Sequence, residues 1–188
     1  MTTDQQQADS SDPSRAGGLF AVDLDDHMLI RASGHDAGET ASCAAAIASL
    51  QVLYYVESRS VFRYLSNWQP YTNAKTARLR TLVKKMSAQS YAHADRLSTM
   101  IEAVGGGEAC EGLFREDNTH FNYTSWSTML PRLIKAKTSI VHNYEAVLAQ
   151  LGDADDSDDP VIDEVRSLLD ENRRHLTDLQ KWSERVIN

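Results

Sequence analysis

The chain has 188 residues, of which 41% are apolar and 24% charged, and its 19 basic and 27 acidic side chains give a formal net charge of −8. This length and composition favour one domain with its own core over two smaller domains. The charge argues against a nucleic-acid partner, because a basic face is needed to displace counterions from phosphates. No apolar run approaches the roughly 20 residues that cross a bilayer, so we expect no membrane partner. Two cysteines form neither a disulfide framework nor a zinc motif, so we expect a cytoplasmic protein.

The N-terminal segment differs in composition from the rest of the chain. Residues 1–18 are rich in Gln, Ser, Asp and Gly, and the sequence therefore predicts a disordered tail. Residues 19–37 carry scattered apolar residues, which we interpret as a short strap on the body of the protein. We accordingly assign residues 19–188 to a single domain.

From residue 40 onward, apolar residues recur at spacings of three and four, as in amphipathic helices. The pattern predicts four helices, over 40–67, 73–104, 128–152 and 160–186. The glycines at 105–107 end the second helix as a left-handed C-cap, and Asp159 and Pro160 begin the fourth. Two links are short, whereas the link over 105–127 is long enough to span a bundle of about 40 Å. The sequence thus predicts an all-α four-helix bundle with one long crossover between helices two and three, the ferritin-like arrangement.

Polar residues interrupt the apolar face of each predicted helix about midway along its length. They are Glu57 in helix one, Ser90 and His93 in helix two, Lys137 in helix three, and Asn172 and His175 in helix four. Since a buried charge without a partner costs several kcal/mol, we expect these six residues to meet in one polar cluster. Tyr54 and Tyr144 share the same faces and are candidate neighbours of the cluster. Glu171 lies about 100° from the inward face of its helix and is expected to face solvent.

Over residues 40–186 this pattern resembles the ferritin-like superfamily, and the segments HADRLSTMIEAVGG and ENRRHLTDLQKW resemble its second and fourth helices. Its metal-binding members hold two metal ions with a Glu from each of helices one and three and a Glu-x-x-His from each of helices two and four. The resemblance implies that Glu57, His93 and His175 occupy ligand positions. The substituted ligand positions are Ser90, Lys137 and Asn172. Because two metal ions need several carboxylates to offset their charge, we do not expect a normal dinuclear iron centre.

One interpretation of the cluster is a metal-free network with no cofactor. In it, Lys137 pairs with Glu57, and the two histidines, Ser90, Asn172 and one of the tyrosines complete a set of hydrogen bonds that fixes the register of the helices. The protein would then act through oligomerisation or partner binding. Aromatic residues on more than one face of helix one favour a homo-oligomer, a dimer or larger.

The other interpretation is a metal-binding protein or an oxidoreductase. Glu57, His93 and His175 form a two-histidine, one-carboxylate set that suits iron, manganese or another divalent transition metal. Lys137 would repel this metal unless it points elsewhere or is neutral through burial. The sequence alone does not decide whether the protein is an enzyme.

Overall fold

The computed structural model of the protein describes residues 37–65, 68, 70–109, 124–152 and 159–187. The predicted tail over 1–18 and all but the last residue of the predicted strap lie outside these residues. The helices are α1 (Ala37–Ser58), α2 (Val61–Tyr64), α3 (Ala77–Ala103), α4 (Trp126–Gly152) and α5 (Pro160–Ile187). No β-strand occurs in the described ranges, which confirms the all-α prediction there. Within them, no helix combines the length and the apolar character that crossing a membrane requires.

The four long helices pack around a shared apolar core. α1 contacts α3 and α4, and α5 also contacts α3 and α4. The largest fully buried apolar side chains include Leu50, Leu53, Leu79, Met86, Leu97, Ile101, Leu130 and Tyr144. Except for Leu53, which was not expected there, these residues lie on the faces that the three-four spacing predicted to be inward, so those faces are confirmed.

α1 and α3 run antiparallel to each other. Near the start of α1, the Cys43 thiol donates a hydrogen bond to the Val104 carbonyl, which follows the end of α3, with a sulfur-to-oxygen distance of 3.3 Å. Near the end of α1, the Glu57 carboxylate accepts a hydrogen bond from Ser90 in the middle of α3. This register brings the polar residues of both helices to the same depth in the core.

The first helix is shorter than predicted. We expected one helix over 40–67, but α1 ends at Ser58 and α2 begins at Val61. Between them, Ser60 has an extended backbone with φ −63° and ψ 148°, and its hydroxyl lies 3.1 Å from the Ser90 hydroxyl. Short polar side chains that bond elsewhere compete with the helical conformation, whereas the apolar spacing continues through the break and hides it.

The predicted ends of the later helices are largely correct. Gly105 and Gly107 have positive φ values of 80° and 68°, as the left-handed C-cap of α3 requires. At the start of α5, the Asp159 carboxylate accepts a hydrogen bond from the Val161 backbone N–H at 2.8 Å, which confirms the predicted N-cap. α3 begins four residues later than predicted, because residues 74–76 form a turn.

Candidate functional site: a buried polar cluster

The Glu57 carboxylate lies at the centre of the cluster and is completely buried. Its Oε1 atom accepts hydrogen bonds from His93 Nδ1 at 3.0 Å, from Asn172 Nδ2 at 3.0 Å and from the Tyr144 hydroxyl at 3.3 Å. Its Oε2 atom accepts a hydrogen bond from the Ser90 hydroxyl at 2.8 Å. An ionised carboxylate has about four acceptor sites, two on each oxygen, so Oε1 is fully used and Oε2 accepts one bond. One carboxylate therefore joins all four long helices.

Lys137 is the buried cation of the cluster, with 1% of its surface exposed. Its ammonium donates a hydrogen bond to Asn172 Oδ1 at 2.8 Å and lies 4.3 Å from the centre of the Phe62 ring. The Asn172 amide also donates to Glu57 and to the Leu168 carbonyl. The expected direct pair of Lys137 with Glu57 is therefore not formed: Asn172 lies between them and connects the ammonium of α4 to the carboxylate of α1.

The hydrogen bonds and charges of the cluster act on its proton affinities. Burial alone would raise the pKa of Glu57, but the hydrogen bond from His93, the charges of Lys137 and His93, and the hydrogen bond from Asn172 lower it from 4.5 to about 2. Burial lowers the pKa of Lys137, and the charge of Glu57 offsets part of this effect. Burial next to Glu57 raises the pKa of Tyr144 well above its usual value. At neutral pH the carboxylate is therefore ionised and the phenol is a neutral donor.

Glu171 holds the outer side of the His93 ring. Its Oε2 atom lies 3.2 Å from His93 Nε2, and its Oε1 atom accepts a hydrogen bond from Arg96 at 2.9 Å. Burial would raise the pKa of Glu171, but the hydrogen bonds from Arg96 and His93 lower it. The expectation that Glu171 faces solvent is thus only partly correct, because its side chain is 28% exposed but bonds to His93 and Arg96. The missed signal is that Glu164 and Glu171 lie seven residues apart on one face of α5, where both bind Arg96 of α3.

His175 lies beside the network without contacting the Glu57 carboxylate. Its ring stacks on the His93 ring with 6.3 Å between the ring centres, and its Nε2–H donates to the Gln89 amide oxygen at 2.9 Å. Its Nδ1 atom is buried and has no hydrogen-bond partner. Burial, with the charges of Lys137 and His93, lowers the pKa of His175 from 6.5 to about 4, so this ring is neutral at pH 7.

The structure brings most of the predicted site residues together. Those joined by direct hydrogen bonds are Glu57, Ser90, His93, Lys137, Tyr144 and Asn172. His175 reaches them through the stacked His93 ring and through Gln89, which also bonds to Glu171. Tyr54 is buried one turn before Glu57 on α1. The convergence that the helical spacing predicted is therefore observed, with Glu171 and Gln89 added on the side of α5.

The side chains do not fit the dinuclear metal centre of the ferritin-like superfamily. Across the part of the chain that the structure describes, no three His, Cys, Asp or Glu side chains are arranged to hold a metal ion. Four donors already hold the Glu57 carboxylate, three of them on Oε1, and the nearby Lys137 ammonium would repel a metal cation. No known protein family, curated protein or solved structure matches the chain.

Proposed function

We propose that this chain is a ferritin-like helical protein in which a metal-free ionic network replaces the dinuclear metal centre. We further propose that it acts through oligomerisation or partner binding and not through metal redox chemistry. The observation that carries this proposal is the buried Lys137 ammonium, which bonds to Asn172 at 2.8 Å; the proposed resemblance assigns Lys137 to the helix-three ligand position. Asn172 in turn bonds to Glu57, so the protein already supplies the positive charge that a metal would bring.

The direction of α4 supports the ferritin-like crossover. Ser49 of α1 bonds to Gln150 near the end of α4 at 3.4 Å, and Glu57 accepts a hydrogen bond from Tyr144 closer to the middle of α4. α4 is therefore antiparallel to α1, as α3 is, so α3 and α4 run in the same direction. The link over 104–125 then joins opposite ends of two helices that are each about 40 Å long.

The network is suited to fixing the register of the helices. The bonds to Glu57 come from α3, α4 and α5, and a slip of any one helix by one turn would move its donor about 5.4 Å along the axis. The displaced donor would then be left buried and unpaired, and the carboxylate would lose part of its hydrogen bonding, both of which are unfavourable. A fixed register gives the outer faces of the helices fixed positions, as a docking protein requires.

The direct test is the metal content of protein purified without added metal, measured again after anaerobic incubation with iron(II). We expect no stoichiometric metal in either sample. One bound metal per chain that disappears in His93→Ala and His175→Ala would overturn the metal-free proposal. That result would favour a site formed by Glu57, His93 and His175. His142→Ala is the matched control, because His142 is an exposed histidine of α4.

The ferritin-like part of the proposal has a separate test. We expect the variant with Ser90→Glu, Lys137→Glu and Asn172→Glu to bind iron(II), because it restores the three missing carboxylates at positions that surround Glu57. The readouts are the iron stoichiometry and an iron-dependent rise in the melting temperature. If the triple variant folds but binds no more iron than the wild type, this result would contradict the ferritin-like assignment.

A further inference from the structure

The outward face of α3 carries a line of exposed residues at alternating spacings of three and four. This is the spacing of the contact positions of a coiled coil. The first half of the line consists of Arg78, Thr81, Lys85 and Ala88, which are all exposed. Its basic residues begin at the N-terminal end of α3, and its residue nearest the middle of the helix is the small Ala88.

The second half of the line mirrors the first half about position 90. It consists of Ala92, Asp95, Thr99 and Glu102, which are also exposed. At equal distances from position 90, alanine corresponds to alanine, threonine to threonine and an acidic residue to each basic residue. We call these eight positions the outer seam.

The charged groups of the outer seam have no ion-pair partner among the described residues of their own chain. Arg78, Lys85, Asp95 and Glu102 make no ion pair with any described residue, whereas Arg96, also on α3, binds two carboxylates of α5. If two such helices pack antiparallel, the basic half of each exposed face lies opposite the acidic half of the other. The charges therefore fit a second copy of this chain in one register.

We propose that two copies of the chain pack their outer seams antiparallel to form a two-fold symmetric dimer. When the symmetry axis crosses the outward face of α3 at the level of position 90, Lys85 faces Asp95 of the partner subunit. Arg78 then faces Glu102 of the partner subunit. Near the axis, Ala88 faces Ala92 of the partner subunit, so the helices can approach closely. Two-fold symmetry makes each contact twice.

The exposed aromatic side chain of α3 agrees with this arrangement. Tyr91 is 41% exposed and is one of two large apolar side chains that are exposed among the described residues. Arg63 lies over its ring at 3.9 Å and accepts the hydrogen bond of its hydroxyl. Tyr91 adjoins Ala92 at the centre of the outer seam, so the second copy would cover part of its exposed surface. The seam extends over 24 residue steps, or about 36 Å. Because exposed ion pairs each contribute little and are screened by salt, we expect the dimer to weaken at high salt.

This inference rests on the proposed function in one respect, namely that the protein acts by oligomerisation. Its contacts are made by the outer seam alone, whereas the buried cluster affects them only by setting the rotation of α3. Metal analysis therefore tests the core, and the association state tests the outer seam. If metal binds but the dimer forms as described, only the metal-free proposal fails.

The experiment is sedimentation velocity of the full chain over a range of protein and salt concentrations. We expect the wild type to dimerise, and Lys85→Asp or Asp95→Lys to weaken the dimer by about 10-fold or more, because each places like charges opposite one another twice. Combining both changes in one chain should restore the dimer, and mixing the two single variants should give a heterodimer. Arg174→Asp is the matched control, because Arg174 is exposed on α5 and away from the outer seam.

Three results would overturn the proposal: a wild type that remains monomeric, a dimer that Lys85→Asp leaves unchanged, or a double variant that does not regain association. Circular dichroism verifies that each variant keeps its helical content. Since Lys85 and Asp95 are exposed on the helix surface, their exchange is compatible with the folded monomer.

Discussion

Glu57→Gln is the most direct perturbation of the buried network, because it keeps the size of the side chain and removes its charge. The carboxylate accepts hydrogen bonds from four donors, whereas an amide presents its own NH₂ group to some of those donors. The Lys137 ammonium would also remain buried without its counter-charge. Removing one partner of a buried charged pair in direct contact costs about 3–5 kcal/mol, and Lys137 is linked to Glu57 through Asn172.

The pKa of Glu57 gives a consistent magnitude. Although burial would raise this pKa, the bonds and charges of the cluster lower it from 4.5 to about 2, and this lowering corresponds to about 3 kcal/mol of folding free energy. Because the pKa is lower in the folded state, the contribution is complete above pH 4.5 and is lost as the pH falls toward 2. We therefore expect Glu57→Gln to lower the free energy of unfolding by about 3–5 kcal/mol at neutral pH. The difference from the wild type should shrink on acidification.

Urea unfolding of the wild type and the variant over a series of pH values measures this difference. Glu145→Gln is the control, since Glu145 pairs with Arg173 on the surface, and its loss should cost less than about 1 kcal/mol. Adding Lys137→Met to Glu57→Gln should recover part of the stability by removing the unpaired ammonium. A cost below about 1 kcal/mol for Glu57→Gln at neutral pH, or no recovery in the double variant, would refute the ionic network.

Three further predictions concern single residues. The wild type should lose stability as the pH falls from 6.5 to 4, and His175→Gln should reduce this loss by up to about 3 kcal/mol. The reason is that burial lowers the pKa of His175 to about 4, so the unfolded chain takes up the proton first. Urea unfolding midpoints measured against pH check this. Gly106→Ala should destabilise by about 1–3 kcal/mol in thermal unfolding, because the added methyl would lie 2.7 Å from Ile101 Cγ2. Asp159→Ala should cost about 1 kcal/mol in urea unfolding by removing the N-cap of α5.

The helical spacing of the sequence was sufficient to locate the core of the cluster. Glu57, Lys137 and Asn172 could be identified because each interrupts an apolar face at the same depth, and buried charges require partners. The positions of these residues along the bundle axis followed from the lengths of the helices and of the segments that connect them. These lengths determine which residues of neighbouring antiparallel helices lie side by side. Burial periodicity therefore carried most of the information about this site.

The features that were missed depend on side-chain reach and on local backbone competition. Glu171 is long enough to bend from the edge of α5 to His93, and only the position of Arg96 on the facing helix draws it there. The break after Ser58 depends on the contact between Ser60 and Ser90, which are 30 residues apart. Neither contact can be obtained from the spacing of apolar residues within one helix.

The inward and outward faces of α3 are linked by the rotation of this helix. Ser90 and His93 bond to Glu57 on the inside, and this fixes the angle at which Lys85 and Asp95 point outward. We therefore expect His93→Ala to weaken the dimer although it does not touch the outer seam. Lys85→Asp should change the free energy of unfolding of the monomer, measured at high salt, by no more than about 0.5 kcal/mol. Dimer affinity that is unchanged in His93→Ala would show that the outer seam is positioned independently of the network.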